Sequence, residues 1–103
     1  MAVTPNSGAQ ISLTEAETLV DDFKAKFPSE IKASFIGIEN VQNLLKQDGC
    51  IGIRMYYGYD NDAERLSPVF VGVNSDGEDM IDLIMDRSVP CPPDCDANSP
   101  LNR

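Results

Sequence analysis

The chain has 103 residues, 42% hydrophobic and 24% charged, which fits one small folded domain and excludes a wholly disordered one. Seventeen acids against eight bases give a net charge of −9, and from Asp60 onward ten acids face only Arg65, Arg87 and Arg103. Such a surface repels nucleic-acid phosphates and anionic lipid headgroups, so neither is expected as a partner, and solubility is the simple reading of the acidity.

There is no histidine. His-based triads, His metal ligands and a histidine pH switch are therefore excluded. No apolar stretch approaches the roughly 20 residues of a membrane helix, and the opening Met-Ala-Val-Thr-Pro-Asn-Ser-Gly has neither a basic nor an apolar signal region. A soluble cytoplasmic protein is expected.

In chain order, residues 1–11 read as a flexible leader with little to bury. Ser12-Leu-Thr-Glu15 and Thr14-Glu-Ala-Glu17 both have capping-box spacing, so a helix begins here with a one-turn ambiguity. Ala16, Leu19, Val20, Phe23 and Phe27 form its apolar stripe, and Pro28 ends it. The stretch 29–37 has apolar residues without a period and reads as a connector. A second helix is predicted over 38–47, with Val41, Leu44 and Leu45 on one face and Gly49 as the left-handed stop.

The pattern then changes to a period of two. Ile51, Ile53, Met55 and Tyr57 alternate with Gly52, Arg54, Tyr56 and Gly58. Asp60-Asn61-Asp62 is the turn, and residues 66–74 return with Val69, Val71 and Val73 on one face and Phe70 and Gly72 on the other. Asn74-Ser-Asp-Gly77 makes a second hairpin turn. Residues 79–86 have both strand and helix spacings; the hairpin chemistry before them favours a third strand. From Ser88 the chain is Pro-rich and irregular. The predicted architecture is α+β: two N-terminal helices on a small antiparallel meander, one domain over 12–87, and a Pro/Cys-rich tail over 88–103 docked on it.

Two constellations are candidates for function. If the valines and isoleucines face the helices, Arg54, Tyr56 and Phe70 share the other sheet face with Gly52 and Gly72. That face could bind an unidentified protein partner, or Arg54 could simply pair with Asp82 across the strands. On the same phase Val71 is core, and Val71→Asp unfolds the domain. The second constellation is Cys91-Pro-Pro-Asp-Cys95. It could be a stiff structural turn, a thiol redox pair one residue longer than C-x-x-C, or, with Cys50, three thiolate ligands for zinc. Asp60-Asn-Asp62-Ala-Glu64 and Asn74-Ser-Asp76-Gly-Glu-Asp79 alternate oxygen ligands but do not complete a calcium loop, and they read as turns. No P-loop, G-x-G-x-x-G or G-x-S-x-G occurs, so no catalytic constellation is recognised and no cofactor is expected.

Gly49-Cys50-Ile-Gly52-Ile-Arg54-Met-Tyr56-Tyr57, with Cys91-Pro-Pro-Asp-Cys95 and Ser99-Pro-Leu-Asn102, resembles a family of short, uncharacterised bacterial proteins. The resemblance covers residues 12–102. Its matching positions are Cys50, Arg54, Tyr56, Tyr57, Cys91, Cys95 and Leu101, and Asp79-Met-Ile-Asp-Leu-Ile-Met is shorter than the equivalent stretch in some members. It implies a real domain with a cysteine-bearing tail and assigns no activity.

Overall fold

In a computed structural model, which describes residues 3–102, the chain is α+β: two helices, an open antiparallel meander and an irregular tail. It forms two compact units, each made of separate stretches of sequence. One unit comprises residues 3–8 and Ile36–Ser88, and the other comprises Ala9–Phe35 and 89–102.

In the first unit, helix α2 (Ile38–Leu45) precedes strands β2 (Cys50–Asp60), β3 (Arg65–Asn74) and β4 (Asp79–Met85), which pair in that order. The helix stops two residues earlier than the periodicity predicts. The Gln47 amide donates to the Leu44 carbonyl at 2.8 Å and satisfies one of the carbonyls that a helix end leaves open. Gly49 and Gly77 have φ of 86° and 78°, as their turn positions require. Of the three residues predicted for the apolar face of α2, Leu44 is wholly buried, whereas Leu45 is 45% exposed.

The predicted strand phase is corrected by the register. Arg54 pairs with Val71, Tyr56 with Val69 and Met55 with Phe70. Directly opposed residues in an antiparallel pair point to the same face. Arg54 and Tyr56 therefore share a face with the valines, and Phe70 lies on the other. Helix α2 covers the second face: a Cβ on Gly72 would stand 3.3 Å from the Leu44 carbonyl oxygen and 2.7 Å from the Gln47 amide nitrogen. Val71 and Val73 are nevertheless 3% and 4% exposed, so Val71 is core as expected, but on the face opposite α2.

In the second unit, helix α1 (Leu13–Lys26) starts at Ser12, whose hydroxyl accepts from the Glu15 amide at 3.1 Å. This resolves the capping ambiguity in favour of the first box. Phe23 and Phe27, one turn apart, meet with their rings tilted by 42° and centroids 5.1 Å apart. Strands β1 (Ala33–Phe35) and β5 (Val89–Cys91) form a two-stranded antiparallel ribbon, Ala33 opposite Cys91. Both lie where the sequence reads as connector or irregular tail, because three residues are too few to display a period. No helix among the described residues is long and apolar enough to cross a membrane.

Candidate functional site

Arg54 is not a free cation. Its guanidinium meets the Asp79 carboxylate at 2.6 Å and the Gly77 carbonyl at 3.3 Å, and the Tyr56 hydroxyl donates to the other Asp79 oxygen. The expected ion pair exists, but its acid is Asp79 rather than Asp82. The register explains the change. Asp79 pairs with Val73 and Met80 with Gly72, after which the pairing jumps to Ile84–Val71 and Met85–Phe70. Three residues of β4 thus bulge out, and Asp79 is brought onto the Arg54 face. The hydrogen bond from Tyr56 and then the contact with Arg54 hold the Asp79 carboxyl below its ordinary pKa. The same carboxylate pushes the Arg54 and Tyr56 values up, chiefly through its hydrogen bonds. The cluster ties β2 to the start of β4 across β3. A cavity of about 440 Å³ lies beside it, lined by Val3, Thr4, Pro5, Arg54 and Tyr57, but the guanidinium is already engaged. With Phe70 on the opposite face, Arg54, Tyr56 and Phe70 do not form one platform.

The sign of the Asp79 shift fixes a pH dependence. A carboxyl depressed in the folded state contributes stability above its unfolded pKa of about 3.9, and that contribution is lost as pH falls through the lower folded value. Urea midpoints measured from pH 7 downward are expected to fall for the wild type below about pH 4. Asp79→Asn starts lower at pH 7 and declines less steeply in that window. Parallel curves for the two proteins would show that Asp79 makes no linked contribution.

The oxygen-rich turns are accounted for locally. Asp60 accepts from the Asp62 and Ala63 amides, and Asn74 from those of Asp76 and Glu78. These are the side-chain turns that Asp and Asn favour.

The cysteine tail is built from β5 outward. Cys91 is fixed by strand pairing, with its carbonyl accepting from the Lys32 amide at 2.8 Å. The Cys91–Pro92 and Pro92–Pro93 peptides are both cis, and Asp94 donates its amide back to the Pro90 carbonyl at 3.1 Å. The chain so reversed brings the Cys95 Cα to 4.9 Å from that of Cys91, and the two sulfurs are bonded as a disulfide. Beyond it, the Asn102 amide group donates to the Asp96 carbonyl, and Ser99 accepts from Leu101 and Asn102. These bonds fold residues 96–102 back on themselves.

This geometry overturns the zinc alternative. Cys91 and Cys95 are bonded to each other, so neither is a free thiolate ligand. Among the described residues no group of three or more His, Cys, Asp or Glu is placed to hold a metal ion. Cys50 belongs to the other unit, where it is half-buried and donates its thiol to the Gly52 carbonyl at 3.2 Å.

The two bonded cysteines are not equivalent. Cys91 is 7% exposed and Cys95 is half-buried. A cavity of about 280 Å³ abuts both, lined also by Val20 of α1, Lys32, Asp94, Asp96 and Leu101. Sequence reasoning reached Leu101 only through the resemblance, and nothing in the pattern around Val20 or Lys32 pointed to the cysteines. No family model, curated protein or solved structure matches this chain.

Proposed function

We propose that this chain is a thiol redox protein in which Cys91 and Cys95 pass between disulfide and dithiol. The observation that carries this reading is the disulfide itself, with one cysteine buried and the other half-buried beside a cavity. Loop length also supports it. A crosslink stabilises mainly in proportion to the logarithm of the loop it closes, and a five-residue loop gives only about 2 kcal/mol, the low end for a structural bridge. The half-buried Cys95 is the sulfur open to attack. The thiolate of an external thiol forms a bond to Cys95 Sγ, the Cys91–Cys95 bond breaks, and its electron pair leaves on Cys91 Sγ, which takes a proton from water. A second external thiolate then attacks the mixed disulfide, releasing the external disulfide and the Cys95 thiolate. The protein gains two electrons and the external pair loses them.

The test is equilibration of the native protein in glutathione buffers of graded potential, followed by alkylation and intact-mass counting. Two of the three cysteines are expected to change together over one transition, with Cys50 alkylated or protected independently of potential. A disulfide that resists dithiothreitol until the protein is unfolded in urea would make the bridge purely structural.

A further inference from the structure

We infer that two copies of this chain pair β2 edge to edge, antiparallel and centred on Tyr57, to form one continuous six-stranded sheet. The inference is independent of the redox chemistry. β2 ends the strand order, with β3 on one side and no strand on the other among the described residues. The unused backbone N–H and C=O groups of such an edge are a template for another strand. The two edges of this sheet differ. The β4 edge is interrupted by its three-residue bulge and carries Asp79 and Asp82, both features that discourage pairing. β2 keeps an unbroken register from Gly52 to Asp60, with no proline, no lysine and no acid before Asp60. Its one earlier charge, Arg54, is held by Asp79. Residues 3–5 line a cavity mostly against residues 51–55, which leaves the half of the strand around Tyr57 the more open.

The occupant is a second copy because the strand is complementary to itself. An antiparallel pair centred on Tyr57 sets Arg54 opposite Asp60 of the second copy, Met55 opposite Tyr59, Tyr56 opposite Gly58 and Tyr57 opposite itself. Unlike charges face each other twice, each Tyr56 ring covers a bare glycine, and the sulfur of each Met55 meets an aromatic ring. One step either way sets Arg54 opposite Gly58 or beyond the strand, and Tyr56 opposite itself or Asp60. Two chains of charge −9 repel, but at physiological salt that repulsion is screened beyond about 8 Å, and the paired stretch is itself neutral. Tyr56, Tyr57 and Tyr59 are 47%, 81% and 56% exposed. A buried aromatic covers about 150–250 Å², so their exposed parts come to roughly 300–450 Å² per chain. With Met55 and the backbone edge added, two chains reach about the 1,000 Å² at which specific interfaces begin. A closed twofold dimer of micromolar affinity follows.

The test is sedimentation equilibrium of the full chain in about 0.15 M salt, from roughly 1 to 200 µM. The mass is expected to pass from monomer to dimer within that range and to rise no further. Tyr57→Lys places a cation on the edge and is expected to weaken the dimer by about 100-fold or more. Its circular dichroism is expected to match the wild type, because Tyr57 is 81% exposed. The register is read with cysteines in a Cys50→Ser background. Tyr57→Cys opposes its own copy and is expected to give a disulfide-linked dimer on mild oxidation with diamide, whereas Tyr59→Cys, opposite Met55, is not. A monomer at every concentration leaves the edge to a strand from another protein and overturns the inference. A dimer indifferent to Tyr57→Lys uses another surface and overturns it too. A mass that climbs past the dimer, or equal crosslinking at 57 and 59, would rule out the closed pairing about Tyr57.

Discussion

Val73→Asp is expected to abolish the cooperative urea transition of the protein at neutral pH. Val73 is 4% exposed, and its register partner in β4 is Asp79, on the same face. The new carboxylate would be buried opposite an existing one, whose cation and hydroxyl donors are already bound. An unpaired buried charge costs about 3–5 kcal/mol, and like charges directly opposed add to that. Domains of this size have only about 5–15 kcal/mol to lose. Val71→Asp makes the comparison sharp. Val71 is as buried as Val73, but its partner in β2 is Arg54, which can turn toward a second carboxylate. Val71→Asp, expected from the sequence alone to unfold the domain, should therefore keep a transition, at a lower midpoint, because the register sets Arg54 opposite it. Circular dichroism in urea measures both. A Val73→Asp protein that melts like the wild type, or one that survives better than Val71→Asp, would contradict the register argument.

That register was the part of the fold hardest to read in the sequence. The alternation from Ile51 to Tyr57 and the valines of the return strand are plain, and both strands form there. What failed was the length of the turn between them. Asp60-Asn61-Asp62 looks complete, because Asp60 binds the two amides that follow it. The observed turn is the four residues 61–64, closed by Glu64 with φ of 55°, a position where no glycine gives the bend away. Asp60 pairs with Arg65, so the even residues of β2 from Gly52 to Asp60 meet odd residues of β3. A three-residue turn would pair odd with odd. One residue thus moved Phe70 to the opposite face from Arg54, and a face that looked like a platform became a polar clamp beside two buried valines. The β4 bulge is illegible for a related reason: Ile81, Leu83 and Met85 keep a perfect alternation through residues that the ladder skips. At the cysteines the composition was informative and the partners were not. The Pro-Pro pair marked a stiff reversal, whereas a three-residue strand such as Ala33–Phe35 carries too little pattern to show where the tail would land.

Leu44→Ala is expected to lower the melting temperature by roughly 8–40 °C, from a cost of about 2–5 kcal/mol and a shift of about 4–8 °C per kcal/mol in a domain of this size. Leu44 is the largest fully buried side chain among the described residues, and in its unit it shares the buried apolar set only with Val71 and Val73. Such a sparse core has few neighbours able to collapse into the space, which places the cost toward the upper end. The helix that carries Leu44 is also held close to the sheet by an absence: Gly72 has no Cβ where the Leu44 carbonyl and Gln47 amide pass over β3. Because that backbone contact fixes the helix height, α2 cannot sink to fill the hole. Leu45→Ala, one residue on and 45% exposed, should shift the transition by no more than a surface substitution does, about 0.5 kcal/mol. Differential scanning calorimetry of the two variants decides the point. Equal shifts would mean that α2 is rotated so that Leu45, and not Leu44, contacts the sheet, and the seating of the helix over Gly72 would then be wrong.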